Sequence, residues 1–318
     1  MAGWQRARLS ALLVCALALV AGPAVGGARA PARSHTVVLP NGFRMLTHGG
    51  DPRTADFLDP PGLTRATLAA TAAADSTAAD ERKPVCATDY YQQFLYTSPA
   101  GLLGTLEQNR PVIQAAVRRM NFELNRDSIE SGGPSADYKV LCDANGEIQV
   151  DTFLSAGVDF TSVTLAAQQA GYTKTNVDYT IFVDASWIYC GQGSFADDTR
   201  PGVENLNNTG LDYAVVWDGC WLGRTPMHEN GHNQGAVQAG APNSTGAGHC
   251  NDQQDVMCYS DGGPTDRGDF VVCDDRMRYD CGYDSYFDSA PERGEWLSDH
   301  WNIGSRVNRF IVFGRTRT

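Results

Sequence analysis

Two histidines and a glutamate near the middle of the chain have the spacing of a metal-dependent hydrolase. The segment His228-Glu229-Asn230-Gly231-His232 places its histidines four residues apart, so that on a helix both imidazoles lie on one face. Such a pair can bind one zinc ion and leave positions for a third ligand and a water. Zinc lowers the pKa of its water to about 7, and Glu229 would accept the proton as a general base.

The residues around this segment favour a metal site over a solvated helix with two surface histidines. The chain has 6 histidines in 318 residues, and two of them fall here. Gly235 follows His232 by three residues, where the helix must end and the chain turn back. Glycine accepts the positive φ of such a turn. The segment Asp255-Val256-Met257-Cys258-Tyr259 comes further downstream.

The pattern from His228 to Gly235, with Met257 and Tyr259 downstream, resembles the metzincin clan of zinc endopeptidases. The resemblance covers about a third of the chain, from Tyr213 to its end. It implies an α+β domain of two lobes, with a mixed sheet, a zinc helix and a loop-rich, disulfide-stapled C-terminal lobe. In the clan a methionine turn lies under the zinc site, and in some members the tyrosine that follows serves the metal or the transition state. Met257 is thus an expected support and Tyr259 an expected catalytic residue.

The third ligand is where the sequence departs from the usual pattern. Gln238 stands three residues after Gly235, where most metzincins carry a histidine or an aspartate, and a neutral amide is a poor zinc ligand. Leishmanolysin-like metzincins place an insertion before their third histidine, and the next histidine here is His249. The implied ligands are therefore His228, His232 and His249, with Asp252 and Asp255 as lower-ranked alternatives, since carboxylates also bind zinc.

Residues 1–30 have the form of a secretory signal peptide. Arg6 and Arg8 precede an apolar run over 9–20 that is too short to span a bilayer, and residues 28–30 form an A-x-A-like cleavage site. Cleavage removes three arginines and no acid, so 25 basic residues become 22 against 37 acidic ones, a net charge of −15. That charge argues against nucleic acid or an anionic membrane as a partner. We expect a secreted, extracellular protein without a membrane anchor.

Eight cysteines remain once Cys15 is removed with residues 1–30. An even number in an oxidising compartment indicates disulfides, and metal ligation by cysteine is disfavoured because spaced C-x-x-C pairs are absent. Short-range pairing predicts Cys86–Cys142, Cys190–Cys220, Cys250–Cys258 and Cys273–Cys281. Pairing of Cys250 and Cys258 with Cys273 and Cys281 is an equally open alternative.

The chain divides into three parts by composition. After residues 1–30, residues 31–84 form a low-complexity linker or pro-segment, and residues 85–318 form the zinc metallopeptidase domain. Helical spacing extends from Ser98 to Met120 and over 160–170, and β-like runs cover 139–142, 147–150, 178–183 and 213–217. Five carboxylates offer a weak site for Ca²⁺, although a solvated acidic loop fits them better; they are Asp274, Asp275, Asp280, Asp284 and Asp288.

These observations predict a zinc-dependent endopeptidase that hydrolyses peptide bonds of a protein or peptide substrate. The alternative is a catalytically inactive, zinc-containing extracellular binding module on the same fold, which the unusual Gln238 invites. Glu229 favours the enzyme, because a purely structural zinc site needs no base beside its ligands.

Overall fold

The computed structural model describes residues 82–99, 105–222, 224–252, 254–273 and 278–315, together with two strands before them. All of these lie in one compact unit, Pro31–Thr318. The predicted signal peptide lies outside the described residues. Within the described part, no helix is long and apolar enough to cross a membrane.

The elements alternate between strands and helices along most of the chain. The strands are β1 His35–Val38, β2 Arg44–Thr47, β3 Val85–Cys86, β4 Tyr91–Ser98, β5 Ala136–Val140, β6 Val150–Leu154, β7 Val177–Val183, β8 Gly191–Gly193, β9 Asp212–Trp217 and β10 Ile311–Phe313. The helices are α1 Leu106–Glu130, α2 Phe160–Gln169, α3 Thr225–Asn233 and α4 Trp296–Asp299, with a 3-10 turn at Leu206–Asn208.

A mostly parallel sheet of eight strands organises the molecule, which is therefore a mixed α/β fold. Its strand order is β10-β5-β4-β7-β9-β8, while β3 pairs with β5 and β6 pairs with β4. β7 is parallel to both β4 and β9. The terminal strands β8 and β10 are antiparallel to their neighbours. β1 and β2 form a separate antiparallel pair.

Apolar side chains cover both faces of this sheet. On one face α2 packs through Phe160 and Val163 against the β7 and β9 side chains Ile181 and Val215. On the other face α1 and α3 share a core with the C-terminal segments. Because side chains alternate along a strand, β4, β7 and β9 each contribute side chains to the apolar cores on both faces of the sheet. Helix α3 lies over β9, β8 and β7, which places the predicted metal-binding helix directly on the sheet.

Helix α2 agrees with its predicted bounds to within one residue. Asp159 caps it by accepting a hydrogen bond from the Ser162 backbone N–H at 3.0 Å. Helix α1 begins later and ends later than the spacing indicated, and Pro111 lies inside it. Pro111 is the sixth residue of α1, so it removes the i→i−4 hydrogen bond to the Glu107 carbonyl oxygen.

Two parts of the chain differ in detail from what the sequence predicts. The predicted strands 139–142 and 147–150 overlap β5 and β6 only in part, and they pair with each other only next to the turn. A bridge between Cys142 and Ile148 closes the turn, while β5 and β6 each pair with β4. Residues 31–84, predicted as a low-complexity linker or pro-segment, contain β1 and β2.

Four disulfides join the eight cysteines in the predicted short-range pairs. They are Cys86–Cys142, Cys190–Cys220, Cys250–Cys258 and Cys273–Cys281. The rival pairing between the last two pairs is not formed. Since every one of these thiols is bonded, none is available as a thiolate ligand for a metal.

Candidate metal centre

Helix α3 is short, and its ends are set by local sequence. Pro226 occupies the first turn, where its fixed φ suits the helix. The chain leaves the helix at Gly235, which has φ +86°. A side chain there would be strained, and an added Cβ would approach the Asn207 amide to 2.5 Å. The predicted stop after the second histidine is thus present.

The three predicted histidines meet at one point. His228 and His232 lie one turn apart on α3, and their Nε2 atoms are 3.2 Å apart. His249 arrives from the loop that follows, with its ring 5.2 Å from that of His228 and 5.1 Å from that of His232. One nitrogen of each ring lies within 4.8 Å of the others. The triad is therefore a group that can hold a metal ion.

Hydrogen bonds at the other ring nitrogens fix the tautomers. Nδ1 of His228 lies 2.8 Å from the Val256 carbonyl oxygen, and Nδ1 of His232 lies 3.0 Å from that of Ala236. A carbonyl oxygen only accepts, so both Nδ1 atoms carry the proton. Burial lowers the pKa of His228 to about 4, which keeps its ring neutral. Each Nε2 therefore directs a lone pair inward.

The donor set fits a metal ion of the zinc class. Two facing Nε2 lone pairs at 3.2 Å repel each other unless a cation lies between them. Zinc–nitrogen bonds of 2.0–2.1 Å at a tetrahedral angle place the two nitrogens about 3.3 Å apart. Neutral imidazoles also suit copper, iron and nickel, and three histidines bind zinc in enzymes of other folds. The geometry indicates a metal site without choosing the ion.

His249 is held by a carboxylate that sequence reasoning missed. Its Nδ1 lies 2.7 Å from Asp261 Oδ2, and both side chains are buried. Thr245 Oγ1 donates to the same oxygen at 3.0 Å, and the Gly263 backbone N–H donates to Oδ1 at 2.9 Å. Carboxylates that orient metal-bound histidines are a general feature of such sites. This general feature predicts that a metal-bound histidine has an acidic partner, but it does not predict where in the sequence that partner lies.

The alternative third ligands point elsewhere. Gln238 donates through Nε2 to the Gly235 carbonyl oxygen at 2.5 Å. Asp255 Oδ1 accepts from the Cys281 backbone N–H at 2.6 Å, and Asp252 Oδ1 accepts from that of Val272 at 3.1 Å. These two aspartates form a separate acidic group with Cys281. Of the candidates for third ligand, His249, which follows the insertion after Gly235, is therefore the one that lies with His228 and His232.

Glu229 is buried beside the triad. Its Oε2 has no hydrogen-bond partner among the described residues. The edge strand β8 comes close to it, because an added Cβ on Gly191 would run into the Glu229 carboxylate. A Cβ on Gly193 would lie 2.6 Å from the Glu229 backbone oxygen and 2.8 Å from His232 Cβ. Burial raises the pKa of Glu229 well above its usual range, and a nearby cation acts in the opposite direction.

Tyr259 contacts a histidine of the triad, and Met257 contacts the helix that carries the other two. The Tyr259 ring lies 4.1 Å from that of His249, so the tyrosine borders the metal-binding group. Burial, and then the charges of Glu229 and Asp261, raise the pKa of Tyr259 well above its usual range, so its hydroxyl keeps its proton. Met257 lies against α3, because an added Cβ on Gly231 would be 2.5 Å from its sulfur.

The Cys250–Cys258 disulfide joins the third histidine to the methionine segment. Cys250 follows His249 directly, Cys258 follows Met257 directly, and the two also form a parallel bridge. The methionine segment in turn accepts the His228 hydrogen bond through the Val256 carbonyl oxygen. One covalent link therefore connects the segments that position two of the three ligands.

Among the described residues, the acidic side chains considered for Ca²⁺ do not come together as one metal-binding group. Asp280 Oδ2 accepts backbone hydrogen bonds from Ser285, Tyr286 and Phe287 at 2.8–3.0 Å. Asp288 Oδ1 accepts from the Ala290 N–H at 2.7 Å. These carboxylates order the C-terminal loops. Asp274 and Asp275 lie outside the described residues.

Comparisons with known proteins leave the functional argument to the site itself. No model of a protein family matches the chain, and no curated protein matches it. A solved structure titled "Structure of a chaperone-substrate complex" matches 60% of this chain and 33% of its own, at 13% identity and a TM-score of 0.30. The chain therefore spans about a third of that structure. A TM-score of 0.30 is too low to show a shared fold.

Proposed function

We propose that this protein is a secreted zinc-dependent endopeptidase. The observation that carries the proposal is the position of Glu229, buried next to a triad of histidines whose Nε2 atoms face one another. Three neutral ligands leave the full charge of a divalent ion available for catalysis. A purely structural site needs no general base beside its ligands.

The histidines would hold Zn²⁺, which when bound supplies Lewis acidity toward a water and a scissile carbonyl. Glu229 would take the proton of the attacking water and return it to the leaving amine. Its buried position favours this role, because a base that is poorly solvated binds a proton readily. The Tyr259 hydroxyl, protonated and beside His249, would donate a hydrogen bond to the developing oxyanion.

The same proposal includes membership of the metzincin clan, with two lobes on either side of the metal centre. It is supported by the order zinc helix, glycine turn, third histidine and methionine segment, and by the packing of Met257 beneath α3. Secretion is supported by four disulfides, which persist in oxidising compartments.

Digestion of an unfolded protein substrate tests the proposal against the inactive binding module. Purified protein should cut the substrate, stop when a chelator removes its metal, and resume when Zn²⁺ is restored. Glu229→Gln should keep one zinc per chain while losing roughly 10²–10⁴-fold in rate, because only proton transfer is removed. Elemental analysis and a peptide-release assay measure the two quantities.

The exposed Glu204 provides a matched control, since Glu204→Gln removes a carboxylate away from the histidines. It should leave both zinc content and hydrolysis unchanged. Parent protein that binds zinc yet releases no peptide would instead identify the binding module. A Glu229→Gln variant that cuts at the parent rate would refute the assigned base.

A further inference from the structure

A second group of polar side chains is buried between the sheet and α3, away from the histidines. Gln92, Asp178 and Asp212 stand in register on the adjacent parallel strands β4, β7 and β9. Adjacent strands are about 4.8 Å apart, so these three side chains form a row across one sheet face. Thr180 follows Asp178 by two residues and therefore shares that face. The exposed fraction is 0% for Gln92, Asp178 and Thr180 and 4% for Asp212.

Several oxygens in this row have no hydrogen-bond partner among the described residues. They are both carboxylate oxygens of Asp178, Oε1 of Gln92 and Oγ1 of Thr180. The other end of the Gln92 amide is engaged, because Nε2 donates to Asn230 Oδ1 on α3 at 3.3 Å. Its Oε1 is therefore the atom turned away from Asn230. Buried polar atoms are normally paired, so a cluster of four such oxygens indicates a missing partner.

The two carboxylates also lack a compensating charge. Neither Asp178 nor Asp212 forms an ion pair within the described part of the chain, although a buried carboxylate normally has a cationic partner. The unsatisfied atoms of the row are all oxygens, which are the ligands of hard cations. Two carboxylates balance a divalent charge. Ca²⁺ fits such a row better than Mg²⁺, because it accepts irregular sets of 6–8 oxygens, whereas Mg²⁺ requires near-octahedral geometry.

We propose that Asp178, Asp212, Gln92 and Thr180 form a buried Ca²⁺ site beneath the metal-binding helix. The bound ion would satisfy the carboxylates, the amide oxygen and the hydroxyl oxygen together, with water completing its shell. It would also stabilise α3, because Gln92 bonds Asn230, which adjoins Glu229. The site is separate from the histidine triad and does not depend on any catalytic activity.

The test uses the full chain, refolded with its disulfides intact in Zn²⁺ alone or in Zn²⁺ with Ca²⁺. Elemental analysis should find one Ca²⁺ per chain in addition to the zinc. The melting temperature should rise by roughly 5–10 °C when free Ca²⁺ is 100-fold above its Kd. Asp178→Asn and Asp212→Asn, which keep the side-chain shape, should each abolish both effects.

Two further variants make the result specific. Asp284→Asn removes a carboxylate of the C-terminal loop and should keep the Ca²⁺ and the shift in melting temperature. His249→Ala should also keep the bound Ca²⁺ and the shift in melting temperature, since His249 belongs to the histidine triad and not to the Ca²⁺ site. The proposal is overturned if the parent binds no Ca²⁺, or if Ca²⁺ stabilises Asp178→Asn and the parent equally. Should Asp178→Asn not fold, Gln92→Leu and Asp212→Asn give the same comparison.

Discussion

At the scale of single residues, the metal centre depends on groups that touch no metal. Every imidazole of the triad donates its Nδ1 proton to a fixed oxygen, from Val256, Ala236 or Asp261. Two of these acceptors are backbone carbonyls, whose positions follow from the chain trace. Asp261 is the one side chain among them, so it is the acceptor that a substitution can remove.

Asp261→Asn should weaken zinc binding by about 10–100-fold, because His249 loses a charged acceptor that orients its ring and raises its basicity. Competition with a fluorescent zinc chelator measures the affinity. Asp266→Asn is the matched control, since Asp266 lies in the same loop and bonds Ser260, Asn251 and nearby backbone rather than a histidine. Equal losses in both variants would show that loop order, and not the contact with His249, governs affinity.

The sequence was most informative where one element carries the whole pattern. His228, Glu229 and His232 could be identified because helical geometry alone places them together. His249 needed the resemblance to a family that carries an insertion. Asp261 lies 12 residues beyond His249, and only the path of an irregular loop brings the two together. No spacing rule describes such a path, so this residue could not be predicted.

At the scale of elements, α3 and the methionine segment are fitted to each other at Gly231. Alanine normally stabilises a helix interior by about 0.5–1 kcal/mol relative to glycine. Here an added Cβ would lie 2.5 Å from Met257 Sδ, and overpacking of this kind costs about 1–3 kcal/mol. Gly231→Ala should therefore lower the free energy of unfolding.

The effect of Gly231→Ala on the free energy of unfolding should change sign once the Met257 sulfur is removed. In a Met257→Ala background, the same Gly231→Ala change should raise the free energy of unfolding, because the helix gains propensity and the collision is gone. Urea unfolding of the four proteins in this double-mutant cycle measures the coupling. A Gly231→Ala effect that is the same in both backgrounds would mean that Met257 does not pack against the helix.

Elements were predictable from sequence where their determinants are local. Asp159 and Gly171 bracket α2, and its bounds follow from them. The segments around the turn at Asp143–Gly146 pair with each other only next to the turn, whereas β5 and β6 each pair with the distant β4, which the sequence did not indicate. Pairing between strands that are remote in sequence is decided by the tertiary fold. The apolar periodicity of one strand does not indicate which strand it pairs with.

At the scale of the whole molecule, the same long-range pairing brings acidic side chains into the interior. Asp178 and Asp212 are 34 positions apart in the chain yet are partners in register. The sequence indicated only that Asp178 begins one β-like run and that Asp212 directly precedes another. This acidic protein, with a formal net charge of −12, thus places some of its acidic side chains inside its core.

This burial predicts how stability depends on pH. Burial raises the pKa of Asp212 to about 7, and burial together with the Asp212 charge raises that of Asp178 well above its usual range. In the unfolded chain both carboxyls have a pKa of about 3.9. Between these values the folded state holds protons that the unfolded state has released, so stability falls as pH rises. For Asp212 the total loss is at most on the order of 4 kcal/mol.

Urea unfolding of metal-free protein between pH 5 and pH 8 tests this sign. Other groups titrate in the same range, and the lowered pKa of His228 acts in the opposite direction, because as pH falls the unfolded chain takes up a proton on this residue that the folded protein does not. The pair is isolated by subtracting the Asp178→Asn/Asp212→Asn double variant, whose downward slope should be shallower than that of the parent; the remainder comes from other buried carboxyls with raised pKa values, among them Asp255 and Asp280. Ca²⁺ should make the slope of the parent shallower by the same amount, since an ion bound between the carboxylates favours their charged forms and takes the place of the protons. A parent and a double variant with parallel pH profiles would show that these carboxyls are paired with other groups in the folded protein.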